Sequence, residues 1–131
     1  MRLLLDTHIS LWAIGKRARL SPQARDLIAD PANTIVVSTA SVWEIAIKHA
    51  LARGRADAIK ISGKDALSHF EGSGYEILPI TPQHVIAVAG LPFLHKDPFD
   101  RLLVAQAHVE TLRLLTSDRQ MAAYGAGIML I

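Results

Sequence analysis

Short apolar runs alternate with helical segments along this chain, and that alternation limits the possible folds more than any other feature. The runs occupy residues 2–5, 34–38, 76–80, 113–116 and 128–131. Runs of this length are typical of strands buried on both faces of a sheet. Strands separated by helices favour a parallel sheet with right-handed crossovers. The predicted fold class is α/β, a three-layer sandwich with a central, mainly parallel five-stranded sheet flanked by helices. Pro79 cannot donate a ladder hydrogen bond, which predicts that the third strand lies at a sheet edge.

Size and composition indicate a globular protein. The chain has 131 residues, half of them hydrophobic, and we expect one domain over residues 1–131. No apolar run approaches the roughly 20 residues of a membrane helix, and the first run stops at Asp6, so we expect a cytoplasmic protein without a signal peptide. The absence of cysteine leaves oxygen and imidazole ligands, which favours a hard metal. The net charge of +2 permits a nucleic-acid partner without requiring one.

One helix, opening within residues 95–107, carries an acid on its inward side. Asp97 has the character of an N-cap, Pro98 that of the first helical residue, and Asp100 falls at the third position. Leu103 and Val104 share the face of Asp100, and an aliphatic face packs inward. A carboxylate on that face is costly unless a cation or hydrogen bonds satisfy it, so Asp100 is expected to meet a partner.

Three further acids lie where the predicted strands end. Asp6 follows the first strand, Glu44 lies in the helix after the second, and Asp118 follows the fourth. Because ligands bind outside the carboxyl ends of the strands in an open parallel sheet, we expect these acids to converge with Asp100. Clustered carboxylates repel one another and recruit a divalent cation, for which oxygen ligands favour Mg²⁺ or Mn²⁺.

Each of these acids also has a purely structural interpretation. Glu44 can complete a capping box with Ser41, since the two have the Ser-x-x-Glu spacing, or it can pair with Lys48 one turn later. Asp100 can serve the helix dipole, and Asp118 can cap the short helix after it. The four acids together at one rim of the sheet indicate a site more strongly than any one of them.

Four blocks of the sequence resemble those of PIN-domain ribonucleases, and in particular of the VapC-type toxins of bacterial toxin–antitoxin pairs. The blocks are LLLDT (3–7), SVWEIAIK (41–48), HKDPFDRLLVAQA (95–107) and LLTSD (114–118). The resemblance implies a five-stranded parallel sheet, metal-dependent cleavage of RNA and neutralisation by a cognate antitoxin. It also implies that the metal-site acids are Asp6, Glu44, Asp100 and Asp118.

The expected mechanism is hydrolysis of RNA phosphodiester bonds with one or two Mg²⁺ or Mn²⁺ ions. Asp6 centres the metal site, Glu44 and Asp100 complete it, and Asp118 binds a second ion or orients the attacking water. Residues beside the acids that can support them are Thr7, Thr116, Ser117 and Asp97. The expected partners are an RNA substrate, an antitoxin protein and a second copy of the chain in a homodimer.

The remaining polar and aromatic residues are less informative. Two basic stretches can steer an RNA backbone or simply face solvent. They consist of Lys16, Arg17 and Arg19, and of Arg53, Arg55, Lys60 and Lys64. His8 and His95 lie near the acids in sequence, but a carboxylate site needs no imidazole. Trp12 and Trp43 are at helical positions that favour packing.

Two functions from other classes compete with the nuclease. A phosphatase with an aspartyl nucleophile uses an acid like Asp6 and a second acid two residues later, but His8 occupies that position. A binding or assembly module whose acids only cap helices is the other alternative. Mg²⁺ stabilises a four-acid cluster by mass action and leaves capping acids unaffected, so metal titration distinguishes the second alternative from the nuclease.

Overall fold

The computed structural model describes residues 1–52, 54–56 and 59–131 and confirms the predicted α/β fold. Its five strands are all parallel and lie in the order β3-β2-β1-β4-β5. The strands are β1 (Arg2–Leu5), β2 (Thr34–Ser38), β3 (Glu76–Leu78), β4 (Arg113–Thr116) and β5 (Ile128–Leu130). The helices are α1 (Thr7–Gly15), α2 (Pro22–Ala29), α3 (Thr39–Leu51), α4 (Gly63–Gly72), α5 (Pro82–Ala89), α6 (Pro98–Glu110) and α7 (Arg119–Ala122), with a 3₁₀ turn at Arg17–Arg19.

Two apolar layers cover the sheet, one on each face. Successive side chains of a strand point to opposite faces, so Leu3 and Leu5 enter one layer and Leu4 enters the other. The first layer packs against α1 to α4 through residues such as Ile45 and Phe70. The second packs chiefly against α6 and α7. Because both faces are covered, the central strands read as continuous apolar runs.

The third strand lies at a sheet edge, as Pro79 predicted. It ends at Leu78, one residue before Pro79, and not at Ile80 as the apolar run suggested. Proline lacks the N–H that would continue the ladder, which explains the shorter strand.

Side-chain caps begin the helices, with one departure from prediction. Asp97 accepts hydrogen bonds from the backbone N–H groups of Phe99 and Asp100 at 2.8 and 3.1 Å, as expected for the N-cap of α6. The predicted capping box of Ser41 and Glu44 is wrong. A helix capped by Ser41 would begin at residue 42, whereas α3 begins at Thr39. Ser38, the last residue of β2, is the N-cap and accepts from the N–H of Ala40 at 2.9 Å. Ser41 and Glu44 therefore lie inside the helix, and both are buried.

The order of the strands locates a crevice at the carboxyl end of the sheet. From β1 the chain proceeds outwards through β2 to β3, then crosses back to β4 on the other side of β1. Such a reversal between neighbouring strands opens a ligand-binding crevice in doubly wound sheets. Asp6 lies at this point, and its N–H donates to the carbonyl of Leu115 in β4 at 3.0 Å. Within the described ranges, no helix is long and apolar enough to cross a membrane.

Candidate metal centre

Asp6 is buried at the end of β1, with 5% of its surface exposed. Its Oδ1 accepts from the N–H of Ile9 at 2.8 Å and so caps α1, while its Oδ2 accepts from the hydroxyl of Thr116 at 2.5 Å. Burial raises the pKa of the carboxyl group, and the nearby charge of Glu44 adds to the rise. Both oxygens are thus oriented by the protein before any ligand arrives.

Glu44 lies beside Asp6 and is 2% exposed. The hydroxyl of Thr7 donates to Oε1 at 2.6 Å, and Nζ of Lys48 donates to Oε2 at 2.6 Å, so the structural pairing with Lys48 is present. Although partial burial alone lowers the pKa of Lys48, its hydrogen bond to Glu44 and the acids around it leave that pKa above the ordinary value. We refer to Asp6 and Glu44 as the inner pair.

Asp100 and Asp118 form a more accessible outer pair. Desolvation by burial, followed by repulsion from Asp97, raises the pKa of Asp100 from 3.8 to about 6, and Glu44 contributes to this rise. Asp118 caps α7 through Oδ1, which accepts from the N–H of Gln120 at 2.8 Å. Its side chain is 37% exposed, compared with 19% for Asp100.

The outer pair is joined by His95, a residue that the sequence argument set aside. Its Nε2 lies 2.8 Å from Oδ2 of Asp100 and 3.2 Å from Oδ2 of Asp118. The ligating atoms of these three residues lie within 4.8 Å of one another. The available signal was the position of His95 two residues before Asp97, in a segment that has to approach the same rim. The sequence analysis did not assign His95 to the site because carboxylate oxygens alone can hold a hard cation.

The predicted supporting residues behave differently from one another. Thr7 and Thr116 are buried, and their hydroxyls donate to the inner pair. Thr116 also accepts from the N–H of Asp118 at 3.0 Å, and this links the inner and outer pairs. Ser117 is exposed. Asp97 uses its Oδ1 as a cap, while its charge acts on Asp100.

The donor set fits a hard divalent cation. All four predicted acids are gathered at one rim, since Glu44 lies close enough for its charge to act on both Asp6 and Asp100, and Thr116 joins Asp6 to Asp118. Burial combined with this repulsion disfavours four ionised carboxylates in one place unless a cation compensates them. The oxygens present are the ligands that Mg²⁺ and Mn²⁺ take.

The surface around the acids has both basic and aromatic character. A cleft beside the inner pair is lined by His8, Lys48, Leu51, Ala52, Arg55 and Ile59. Trp43 was expected to pack, but 53% of it is exposed. Its ring meets that of Phe99 edge to face, with centroids 4.9 Å apart. Arg53 of the second basic stretch lies outside the described residues.

A family model for the PIN domain matches residues 3–127, and the chain therefore belongs to the PIN domain family. Among solved structures it is similar to VapBC2 from Rickettsia felis bound to a DNA fragment from its promoter, with a TM-score of 0.69 and 18% identity over 100% of this chain and 98% of that one. VapBC-5 from Mycobacterium tuberculosis, of the VapBC family of toxin–antitoxin systems, gives 0.61 and 19% over 99% and 97%. A toxin–antitoxin complex from Klebsiella pneumoniae gives 0.59 and 21% over 97% and 95%. A comparison with curated proteins finds no match.

Proposed function

We propose that this chain is a single-domain, metal-dependent endoribonuclease of the VapC type, the toxin of a toxin–antitoxin pair. The observation that carries the proposal is the gathering of Asp6, Glu44, Asp100 and Asp118 from four separate segments at the crevice between β1 and β4. Caps alone do not explain it, because Glu44 caps no helix and lies buried beside Asp6, with its oxygens accepting from Thr7 and Lys48.

In this proposal Asp6, Glu44 and Asp100 would hold Mg²⁺ or Mn²⁺, and Asp118 would hold a second ion or orient the attacking water. A bound divalent cation supplies activation of water and stabilisation of charge on the phosphate oxygens. The protein orients the inner pair through Thr7 and Thr116, whose hydroxyl protons point at carboxylate oxygens. Hydrolysis forms a bond between the water oxygen and phosphorus and breaks the bond to the leaving ribose oxygen, which takes up a proton as the water loses one.

A single-stranded RNA suits the surface around the acids. Lys48 and Arg55 line the adjoining cleft, where cations favour a phosphate backbone. The ring of Trp43, which is 53% exposed and meets that of Phe99 in a T-shaped contact, is suited to stacking with a base. Neither a basic cleft nor an exposed aromatic ring distinguishes one RNA sequence from another. They therefore support the class of substrate and not a particular cleavage sequence.

Incubation of the purified protein with total cellular RNA tests the proposed activity. We expect cleavage with Mg²⁺ or Mn²⁺, none with EDTA, and discrete ends on sequencing. Asp6→Asn should be inactive, whereas the matched control Asp26→Asn, at an exposed position of α2, should cut like the wild type. Absence of metal-dependent cleavage, or equal cleavage by Asp6→Asn, would contradict the proposal.

We also propose an antitoxin and a second copy of the chain as protein partners. The solved structures named above include toxin–antitoxin complexes. Exposed apolar side chains lie on α5 and in the segment after it, and such patches mark interaction surfaces. They are Val85, Ile86, Phe93 and Leu94. Co-expression with the small protein encoded beside it should give a complex that elutes as one species and does not cut RNA, and light scattering of the chain alone should report a dimer.

A further inference from the structure

The loop that carries His95 is held in place by two residues outside it, Tyr124 and Arg101. Its backbone N–H, like that of Leu94, lies within hydrogen-bond distance of Oη of Tyr124, at 3.1 and 3.2 Å. Arg101 of α6 donates to the same oxygen at 3.0 Å and to the carbonyl of Pro92 at 3.1 Å. The imidazole is 11% exposed. A loop residue braced in this way presents its ring to the acids in one orientation.

The hydrogen bonds of the ring define which nitrogen carries the proton. Nδ1 accepts from the N–H of Lys96 at 3.0 Å, so Nδ1 is unprotonated and the proton of the neutral ring lies on Nε2. That Nε2–H donates to Oδ2 of Asp100 at 2.8 Å, and Oδ2 of Asp118 lies 3.2 Å from the same nitrogen. To become a metal ligand, Nε2 would have to pass its proton to Nδ1, which would then point at the N–H of Lys96, one donor against another. The geometry therefore favours a donor at this position over a nitrogen ligand.

We infer that His95 is a positioning residue of the metal centre, which donates Nε2–H to Asp100 and keeps that carboxylate beside Asp118, whose Oδ2 lies 3.2 Å from Nε2. This inference rests on the proposed metal site. A donor that orients ligating carboxylates raises metal affinity without changing the preference for one ion over another, and its loss costs about 10- to 100-fold in affinity. A nitrogen ligand would instead shift the preference from Mg²⁺ toward Mn²⁺.

Metal affinity measured without RNA tests this role. Binding of Mn²⁺ is followed by electron paramagnetic resonance and binding of Mg²⁺ by competition, for the wild type, His95→Leu, His95→Gln and the control His69→Leu. His69 is exposed on α4. We expect His95→Leu to weaken both ions by the same factor, about 10- to 100-fold. We expect His95→Gln, whose amide N–H reaches as far as Nε2, to stay within about threefold of the wild type, and His69→Leu to match it.

Three results would overturn the inference. If His95→Leu binds Mn²⁺ like the wild type, the imidazole does not act on the site. If it loses Mn²⁺ affinity much more than Mg²⁺ affinity, His95 is a ligand. If the wild type binds neither ion, the proposed metal site fails along with the inference, a result distinguishable from the first two. ¹⁵N chemical shifts of the His95 ring in metal-free protein provide an independent reading, since a ring that carries its proton on Nδ1 and none on Nε2 contradicts the donor role.

Discussion

The inner and outer pairs of acids belong to one site but are stabilised in different ways. Asp6 and Glu44 are almost fully buried, and hydroxyl or ammonium donors occupy their oxygens. Asp100 and Asp118 are more accessible; the imidazole of His95 donates to Asp100, and Asp118 lies 3.2 Å from the same nitrogen. The inner pair is preorganised by the core, whereas the orientation of the outer pair depends on His95, which lies in the loop before α6. Variants of the inner pair therefore test the proposed cleavage reaction. Variants of the outer pair test how stability and metal affinity depend on the charge of the site.

The largest expected effect is that of Asp6→Asn, which should reduce RNA cleavage by at least about a hundredfold. Folding should survive, because the amide can accept from Ile9 and donate to Thr116, whose own proton can turn to Sδ of Met121 at 3.4 Å. The melting temperature without metal should stay level or rise, since a buried charge is removed. Thermal scans in EDTA and cleavage assays measure the two effects. Lower stability with intact cleavage would make Asp6 a cap and no more.

Asp100→Asn should remove most metal affinity and cleavage while stabilising the metal-free protein by about 1 to 2 kcal/mol at neutral pH. The pKa of Asp100 is raised to about 6, so the folded state binds the proton more tightly than the unfolded state. Stability of the metal-free wild type should therefore fall as pH rises from about 4 to about 6, and this fall should be shallower in the variant.

Urea unfolding in EDTA across that pH range measures how steeply the free energy of unfolding of Asp100→Asn changes with pH. Asp26→Asn, at an exposed position of α2, is the control for loss of a carboxylate outside the site. An Asp100→Asn slope equal to that of the wild type would contradict the electrostatic account of the outer pair.

Lys48→Met should destabilise the protein by about 1 to 2 kcal/mol at neutral pH. It leaves the buried carboxylate of Glu44 with the hydroxyl of Thr7 but without a cation. Lys48→Arg keeps the charge and should lose much less. Chemical denaturation of both variants measures the difference. Equal stability of Lys48→Met and the wild type would show that the inner pair needs no cation from the protein.

The smallest expected effect is that of Asp97→Asn, which should be nearly silent, since an amide oxygen caps a helix about as well as a carboxylate. Asp97→Ala should cost about 1 kcal/mol of stability, because it deletes the acceptor for the N–H groups of Phe99 and Asp100. Thermal unfolding and Mn²⁺ titration check both variants. Loss of Mn²⁺ binding in Asp97→Asn, with binding retained in Asp100→Asn, would exchange the roles of the two acids.

The sequence predicts the sheet well because its signals are local. Short apolar runs correspond to the strands, and Pro79 correctly marks an edge. The misplaced cap has a specific cause: Ser38 and Ser41 both have the chemistry of an N-cap, and the choice depends on where the β2 ladder ends. That end is determined by pairing with other strands, which no local pattern contains.

Features of the site that depend on distant segments were not predictable in the same way. His95 reaches the acids because Tyr124 and Arg101 hold its loop, and neither contact leaves a signal near residue 95. Trp43 has helical spacing that suits packing, but periodicity does not say whether another element covers the face. The acids were predicted to converge because strand ends bring three of the four to one rim and Asp100 opens the helix that leads into β4; their catalytic roles stay predictions.

The hydrogen bond between Thr116 and Asp6 joins residues 110 positions apart in the sequence, and this separation matters while the chain is being synthesised. Asp6 is translated 110 residues before Thr116. Contacts so distant in sequence form late. A growing chain therefore has no complete set of acids until residue 118 has emerged, and the proposed cleavage activity cannot arise before that point.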